Sequence, residues 1–337
     1  MSSGVRAAGL RYGGMESQVL TRPYQSGHNG AVEQLPADLE RIHILMVNAY
    51  LVGEPDARPG QWVLVDAGLS FSARQIIHHA EHRFGPGTRP AAIILTHGHF
   101  DHVGAIYELL RRWDVPVYAH ELELPYLTGR SDYPPPDPSV GGGMMARSAF
   151  LYPRKGIDLG SRVQPFPADG SVPHMPGWRW IHTPGHSPGH VSLFRDSDRT
   201  LIAGDAFVTQ KQESFWGVVS EHQKVHGPPM YFTIDWEDAK HSVRRLAELH
   251  PAVAATGHGI PMSGERLFVE LQSLALKFDD LAVPRDGRYV RAPAIADELG
   301  IIAVPPPVNY PVPKIAAAIA LVIVAGVALT LVRRRRS

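Results

Sequence analysis

Thr96-His97-Gly98-His99-Phe100-Asp101-His102 is the stretch on which the fold assignment turns. It follows the apolar run Ala91-Ala92-Ile93-Ile94-Leu95 and precedes a helical stretch, so three imidazoles and a carboxylate fall at the end of a buried strand. In extended backbone His97 and His99, two residues apart, project to the same side and can chelate one ion. Asp101 and His102 leave that line as the helix begins and are better placed for a second ion. Neutral imidazole and carboxylate suit zinc and similar divalent ions.

Working outward, two β-runs at 42–52 and 62–65 come before any clear helix, and the second ends in Asp66-Ala67-Gly68. Residues 71–83 and 103–112 pattern as helices, and 115–120 as a short strand. Residues 128–156 hold Pro134-Pro135-Pro136, Gly141-Gly142-Gly143 and Met144-Met145; a loop of that length and composition is read as a pocket lid. Strands return at 178–182, 191–195, 200–203 and 252–256, and helices at 236–250 and 264–282. Among them stand Thr183-Pro184-Gly185-His186-Ser187-Pro188-Gly189-His190, Gly204-Asp205 and Gly257-His258-Gly259. Each follows a strand's C-terminal end, where layered sheet folds gather their sites.

The 337 residues, 44% hydrophobic, suffice for one large domain or two small ones. Lysine plus arginine and aspartate plus glutamate are equal at 33, but five of the basic residues (Lys314 and Arg333 to Arg336) lie at the C-terminus. Removing those five leaves 28 basic against 33 acidic residues, which argues against a nucleic-acid partner. With no cysteine there is no disulfide, no thiolate ligand and no cysteine nucleophile.

Taken in order, Asp66, His97-Gly98-His99-Phe100-Asp101-His102, His186 in Thr-Pro-Gly-His, Asp205 in Ala-Gly-Asp and His258 in Thr-Gly-His-Gly resemble the motifs of the metallo-β-lactamase-fold hydrolase superfamily. The resemblance spans about residues 40–262. It implies an α+β fold, a four-layered αβ/βα sandwich of two sheets packed face to face with helices outside. It also implies two divalent metal ions, zinc by default, with manganese or iron using similar ligands. His97, His99 and His186 would hold the first ion, Asp101, His102 and His258 the second, and Asp205 would bridge them. The implied chemistry is attack of a bridging hydroxide on an ester-like carbonyl of a small-molecule substrate, with Asp101 as the catalytic proton carrier. Asp66 resembles the aspartate that orients a ligand histidine, and His190 is read as supporting the site. His182, His120, His222, His226, His241 and His250 sit in no ligand motif and read as structural.

Within that superfamily, zinc-dependent β-lactamases often carry cysteine at the position of Asp205, and flavin-linked diiron members have glutamate where this chain has His99. The glyoxalase-II-like and lactonase-like branch remains. A thioesterase of glyoxalase II type is favoured; a lactonase of acyl-homoserine-lactone type is the alternative, weakened by Val208 where those enzymes often have tyrosine. A non-catalytic metal-binding scaffold is the third reading.

The expected organisation is a disordered N-terminus over 1–20, a catalytic domain over 21–283, an appendage over 284–304 and a proline-rich linker over 305–314. Residues 315–332, eighteen without a charge, read as a single transmembrane helix, followed by a basic tail at 333–337. The four arginines after the span favour a cytoplasmic C-terminus. The lack of a signal peptide favours a cytoplasmic catalytic domain, the orientation expected for this C-terminal membrane anchor.

Overall fold

Strand residues alternate between two environments, and that alternation builds the layers. The computed structural model describes residues 35–213 and 223–308. One sheet runs in the order β1 (Leu39–Ile44), β2 (Val47–Val52), β3 (Val63–Val65), β4 (Ala92–Ile94), β5 (Val117–Ala119), β6 (Val163–Pro165). β1 to β3 pair antiparallel and β3 to β6 parallel. A second sheet is formed by β7 (Trp178–His182), β8 (Val191–Arg195), β9 (Thr200–Gly204), β10 (Val253–Thr256) and β11 (Met262–Ser263), with only β9 and β10 parallel.

Tyr50, Val52, Val63, Val65, Ala92 and Ile94 of the first sheet pack against Val191, Leu193, Ile202 and Ala255 of the second. Their strand neighbours Leu51, Leu64 and Ile93 face the opposite way, onto Ile76 and Ala80 of the helix Ala73–Phe84 and Ile106, Leu109 and Leu110 of the helix Ile106–Trp113. On the far side, Phe194, Leu201, Ala203 and Ala254 pack beneath Val243 and Leu246 of the helix Trp236–Glu248 and Leu267, Leu271 and Leu274 of the helix Gly264–Leu276. The layers therefore run helix, sheet, sheet, helix, the expected sandwich. Each fully buried aliphatic side chain contributes about 1.5–3 kcal/mol, so all three interfaces hold the arrangement.

Local features depart from the expected elements. The run 42–52 is a hairpin rather than one strand: Ile44 pairs with Val47 across a turn at Leu45, whose φ of 55° is left-handed. No glycine or asparagine marks that turn in the sequence. The helix expected over 103–112 is split into Phe100–Val103 and Ile106–Trp113, and the one over 264–282 into Gly264–Leu276 and Phe278–Leu281. The appendage region contains a small hairpin of β12 (Ile295–Asp297) and β13 (Gly300–Ala303).

The membrane anchor is corrected. Among the described residues no helix is long and apolar enough to cross a membrane. The longest of them have 13 residues, about 20 Å, and each carries charge along one face. Residues 315–332, like 1–20, lie outside the described residues. The fold class accordingly stands as the sandwich, with no membrane-spanning helix among the described residues, and the membrane partner and single-pass localisation are withdrawn.

Candidate metal centre

The histidine loop leaves β4 at Leu95 and enters the helix Phe100–Val103, so His97 sits in the loop and His99 in extended backbone at the helix start, while Asp101 and His102 sit in helix. From the second sheet, His186 comes from the loop between β7 and β8, Asp205 follows β9 and His258 follows β10. All seven are buried. The donor atoms of His97, His99 and His186 lie within 4.8 Å of one another, as do those of His97, His102 and Asp205 and those of Asp101, His102 and His258. Asp205 stands between the groups: its Oδ2 is 3.4 Å from His186 Nε2 and 3.1 Å from His258 Nε2, and its Oδ1 is 3.6 Å from His102 Nε2.

Hydrogen bonds around the cluster fix which ring nitrogens face inward. Asp66 accepts the Thr96 backbone N–H on Oδ1 and the Thr96 hydroxyl on Oδ2, each at 2.8 Å. With its proton so committed, Thr96 Oγ1 accepts from His97 Nδ1 at 3.1 Å. His102 Nδ1 donates to Asp66 Oδ2 at 2.8 Å, and His258 Nδ1 to the Met46 carbonyl at 2.5 Å. Each of the three histidines thereby turns its Nε2 towards the cluster. His99 and His186 face each other through Nδ1 and Nε2 at 3.0 Å. Asp66 itself has a φ of 61°, a left-handed conformation of the kind retained where surrounding structure demands it.

The donors present fit a cation. His97 Nε2, His102 Nε2 and Asp205 Oδ1, with His186 Nδ1, are buried without a hydrogen-bond partner, an arrangement costly to leave uncompensated. Burial holds His97, His99 and His186 below the ordinary histidine range, His99 down to about 3, so they stay neutral as ligation requires. Burial also opposes charge on His102 and His258, but Asp205 and its neighbouring carboxylates outweigh it and hold both above the usual value. At Asp205 burial is in turn outweighed by His258 and His102, which keep the carboxyl ionised.

Each of the nine expected site residues is brought into this cluster or against it. His190 lies behind rather than in it: its Nε2 accepts the Asp205 backbone N–H at 2.8 Å, and its Nδ1 faces the Thr183 carbonyl at 3.1 Å. His120 and His182 stack on each other, ring centroids 4.2 Å apart, outside the donor groups. His222 lies outside the described residues.

Two features escaped the sequence. Phe232 stacks on His99, with ring centroids 4.6 Å apart, and its neighbours Phe100, Tyr152 and Tyr231 extend an aromatic wall. Val140, Ala146 and Ala149 of the breaker-rich loop pack on that wall. Glu123, fully buried, accepts from the Gly98 N–H, the Ser187 hydroxyl and the Gly189 N–H at 2.9, 2.7 and 2.9 Å and from the Tyr133 hydroxyl. A composition-based signal for the first would be Tyr231-Phe232 flanked by prolines and a threonine; nothing local marks Glu123.

Residues 44–258 match the family model described as metallo-beta-lactamase superfamily. The chain is 47% identical over 259 residues to the probable metallo-hydrolase YflN of Bacillus subtilis, covering 77% of this chain and 98% of that protein. It is 33% identical over 170 residues to the probable metallo-hydrolase YybB of the same organism, 50% of this chain and 64% of that protein. A hydroxyacylglutathione hydrolase, GloC of Haemophilus influenzae, is 27% identical over 115 residues, 34% of this chain and 48% of that protein.

Proposed function

The chain belongs to the metallo-β-lactamase superfamily and is a metal-dependent hydrolase; from that premise we propose that it binds two metal ions and cleaves an ester-like carbonyl, a thioester in preference to a lactone. The observation that carries the reading is the single buried carboxylate, Asp205, within reach of donors from both histidine groups. In this reading His97, His99 and His186 would hold one ion, Asp101, His102 and His258 would hold the other, and Asp205 would serve both. The nitrogen and oxygen donors suit zinc first, with manganese and iron as alternatives. Two such cations, when bound, supply Lewis acidity and a water whose pKa falls from about 15.7 towards 7.

The chain's own residues do the rest. Asp66 holds His102 directly and His97 through Thr96, so both rings keep one orientation through turnover. Asp101, whose Oδ2 is 3.6 Å from His258 Nε2, has its carboxyl pushed up by burial, suiting it to take a proton from the attacking water and deliver it to the leaving group. The Phe232 wall gives the acyl group an apolar flank beside His99 and keeps bulk water from it.

The likeness to a hydroxyacylglutathione hydrolase supports the thioester. Val208, buried and bridged to His226, offers no phenol where acyl-homoserine-lactone lactonases often have one. The test is turnover of a lactoyl-glutathione thioester, an acyl-homoserine lactone and a β-lactam by zinc-loaded protein with metal content measured in parallel. Preference for the thioester with two ions per chain is the expected result. Preference for the lactone replaces the substrate assignment, and absence of bound metal overturns the whole reading.

A further inference from the structure

Glu123 lies in the short turn Glu121–Glu123 that follows β5; it belongs to none of the donor groups of the cluster, yet it is fully buried. Its two oxygens serve two different loops. Oε2 accepts the backbone N–H of Gly98, between His97 and His99, together with the Tyr133 hydroxyl. Oε1 accepts the hydroxyl of Ser187, next to His186, and the backbone N–H of Gly189. Four donors match the roughly four lone-pair sites of an ionised carboxylate, so it is saturated. The approach is close enough that a Cβ at Gly189 would stand 2.8 Å from Glu123 Cγ.

We propose that Glu123 is a positioning residue for metal binding: one carboxylate clamps the loop of His97 and His99 to the loop of His186 and so sets the spacing of the first ion's three ligands. The inference rests on the assignment of those histidines to one ion. The facing nitrogens of His99 and His186, 3.0 Å apart, belong to the two clamped loops. Tyr133 extends the clamp into the breaker-rich loop, because its ring also lies on His99 with centroids 4.5 Å apart. The second ion's ligands Asp101, His102 and His258 receive nothing from Glu123. A glutamine in its place turns an NH₂ towards either the Gly98 or the Gly189 backbone N–H, neither of which can accept it.

The experiment is stepwise zinc titration of the metal-free full chain against a chromogenic chelator, for wild type, Glu123→Gln, Tyr133→Phe and Ser187→Ala, with far-UV circular dichroism as the folding control. In wild type two binding steps are expected; their absence overturns the ligand assignment itself. Given two steps, Glu123→Gln weakens one by about 10- to 100-fold, the range for residues that orient metal ligands, and leaves the other within about threefold. General loosening of the fold weakens both steps alike, and that result overturns the proposal, as does a folded Glu123→Gln with both affinities unchanged. Should Glu123→Gln fail to fold, the two single-donor variants decide: several-fold selective weakening of the same step supports the clamp, and wild-type affinities in both reject it.

Discussion

His190 accepts the backbone N–H of Asp205 at 2.8 Å, and its own Nδ1 is taken by the Thr183 carbonyl at 3.1 Å. Burial keeps this imidazole neutral, with its pKa down to about 3, so the acceptor is always available. His190→Ala strands a buried N–H and opens a cavity beside Asp205. We expect a loss of about 1–3 kcal/mol in stability from the orphaned donor and about tenfold weaker metal binding, read by urea denaturation and chelator competition. Unchanged metal affinity refutes the link between His190 and Asp205.

Asp205 lies within 3.6 Å of nitrogens of His102, His186 and His258, the reach on which its proposed bridging role rests. Asp205→Ala should reduce bound metal below two per chain and abolish turnover together, as measured by elemental analysis and the thioester assay. Normal turnover in that variant refutes the bridging role.

Asp66→Asn keeps an oxygen for the Thr96 backbone N–H but turns an NH₂ towards the His102 Nδ1–H, so the charge-assisted bond to His102 is lost. Its metal affinity should fall by about 10- to 100-fold with the fold retained. An affinity equal to wild type assigns Asp66 to the turn alone.

Gly257 has no room for a side chain: an added Cβ would fall onto Asp205 Oδ1 and within 2.9 Å of His102 Cε1. Gly257→Ala therefore displaces the Asp205 carboxylate or the backbone after β10. Lost metal binding with circular dichroism near wild type is the expected pair of results, and full occupancy refutes the close approach.

His120 and His182 stack 8° from parallel, and burial together with the second imidazole lowers His120 to about 4. The unfolded chain takes that proton near 6.5. The contribution of a neutral His120 is thus complete above about 7 and is lost as pH falls from about 6.5 through about 4. His120→Asn keeps a capping acceptor for the Leu122 N–H and cannot take up the proton. The wild-type Tm should fall more steeply than the variant's across that window, and parallel curves count against it.

The donor cluster was legible because its chemistry is local: His97, His99, Asp101 and His102 occupy six consecutive positions, and His186, Asp205 and His258 each follow a strand. Glu123 was not, because Glu121-Leu122-Glu123 reads as a solvated turn, and only packing brings Gly98, Tyr133 and Ser187 onto it. The turn at Leu45 was hidden for a related reason, since a leucine with left-handed φ carries no turn signature. The apolar run 315–332 was read from composition alone; it lies outside the described residues, and among those no helix is long and apolar enough to cross a membrane.

The two sheets contribute unequally in time as well as in space. His97, His99, Asp101 and His102 emerge with the first sheet, whereas His186, Asp205 and His258 belong to the second and arrive up to 161 residues later along the chain. A ribosome-bound chain stopped between the sheets carries none of His186, Asp205 and His258. Only a chain in which both sheets have formed and packed together brings the complete set of donors to one place, so the assembled cluster is itself a marker of the finished fold.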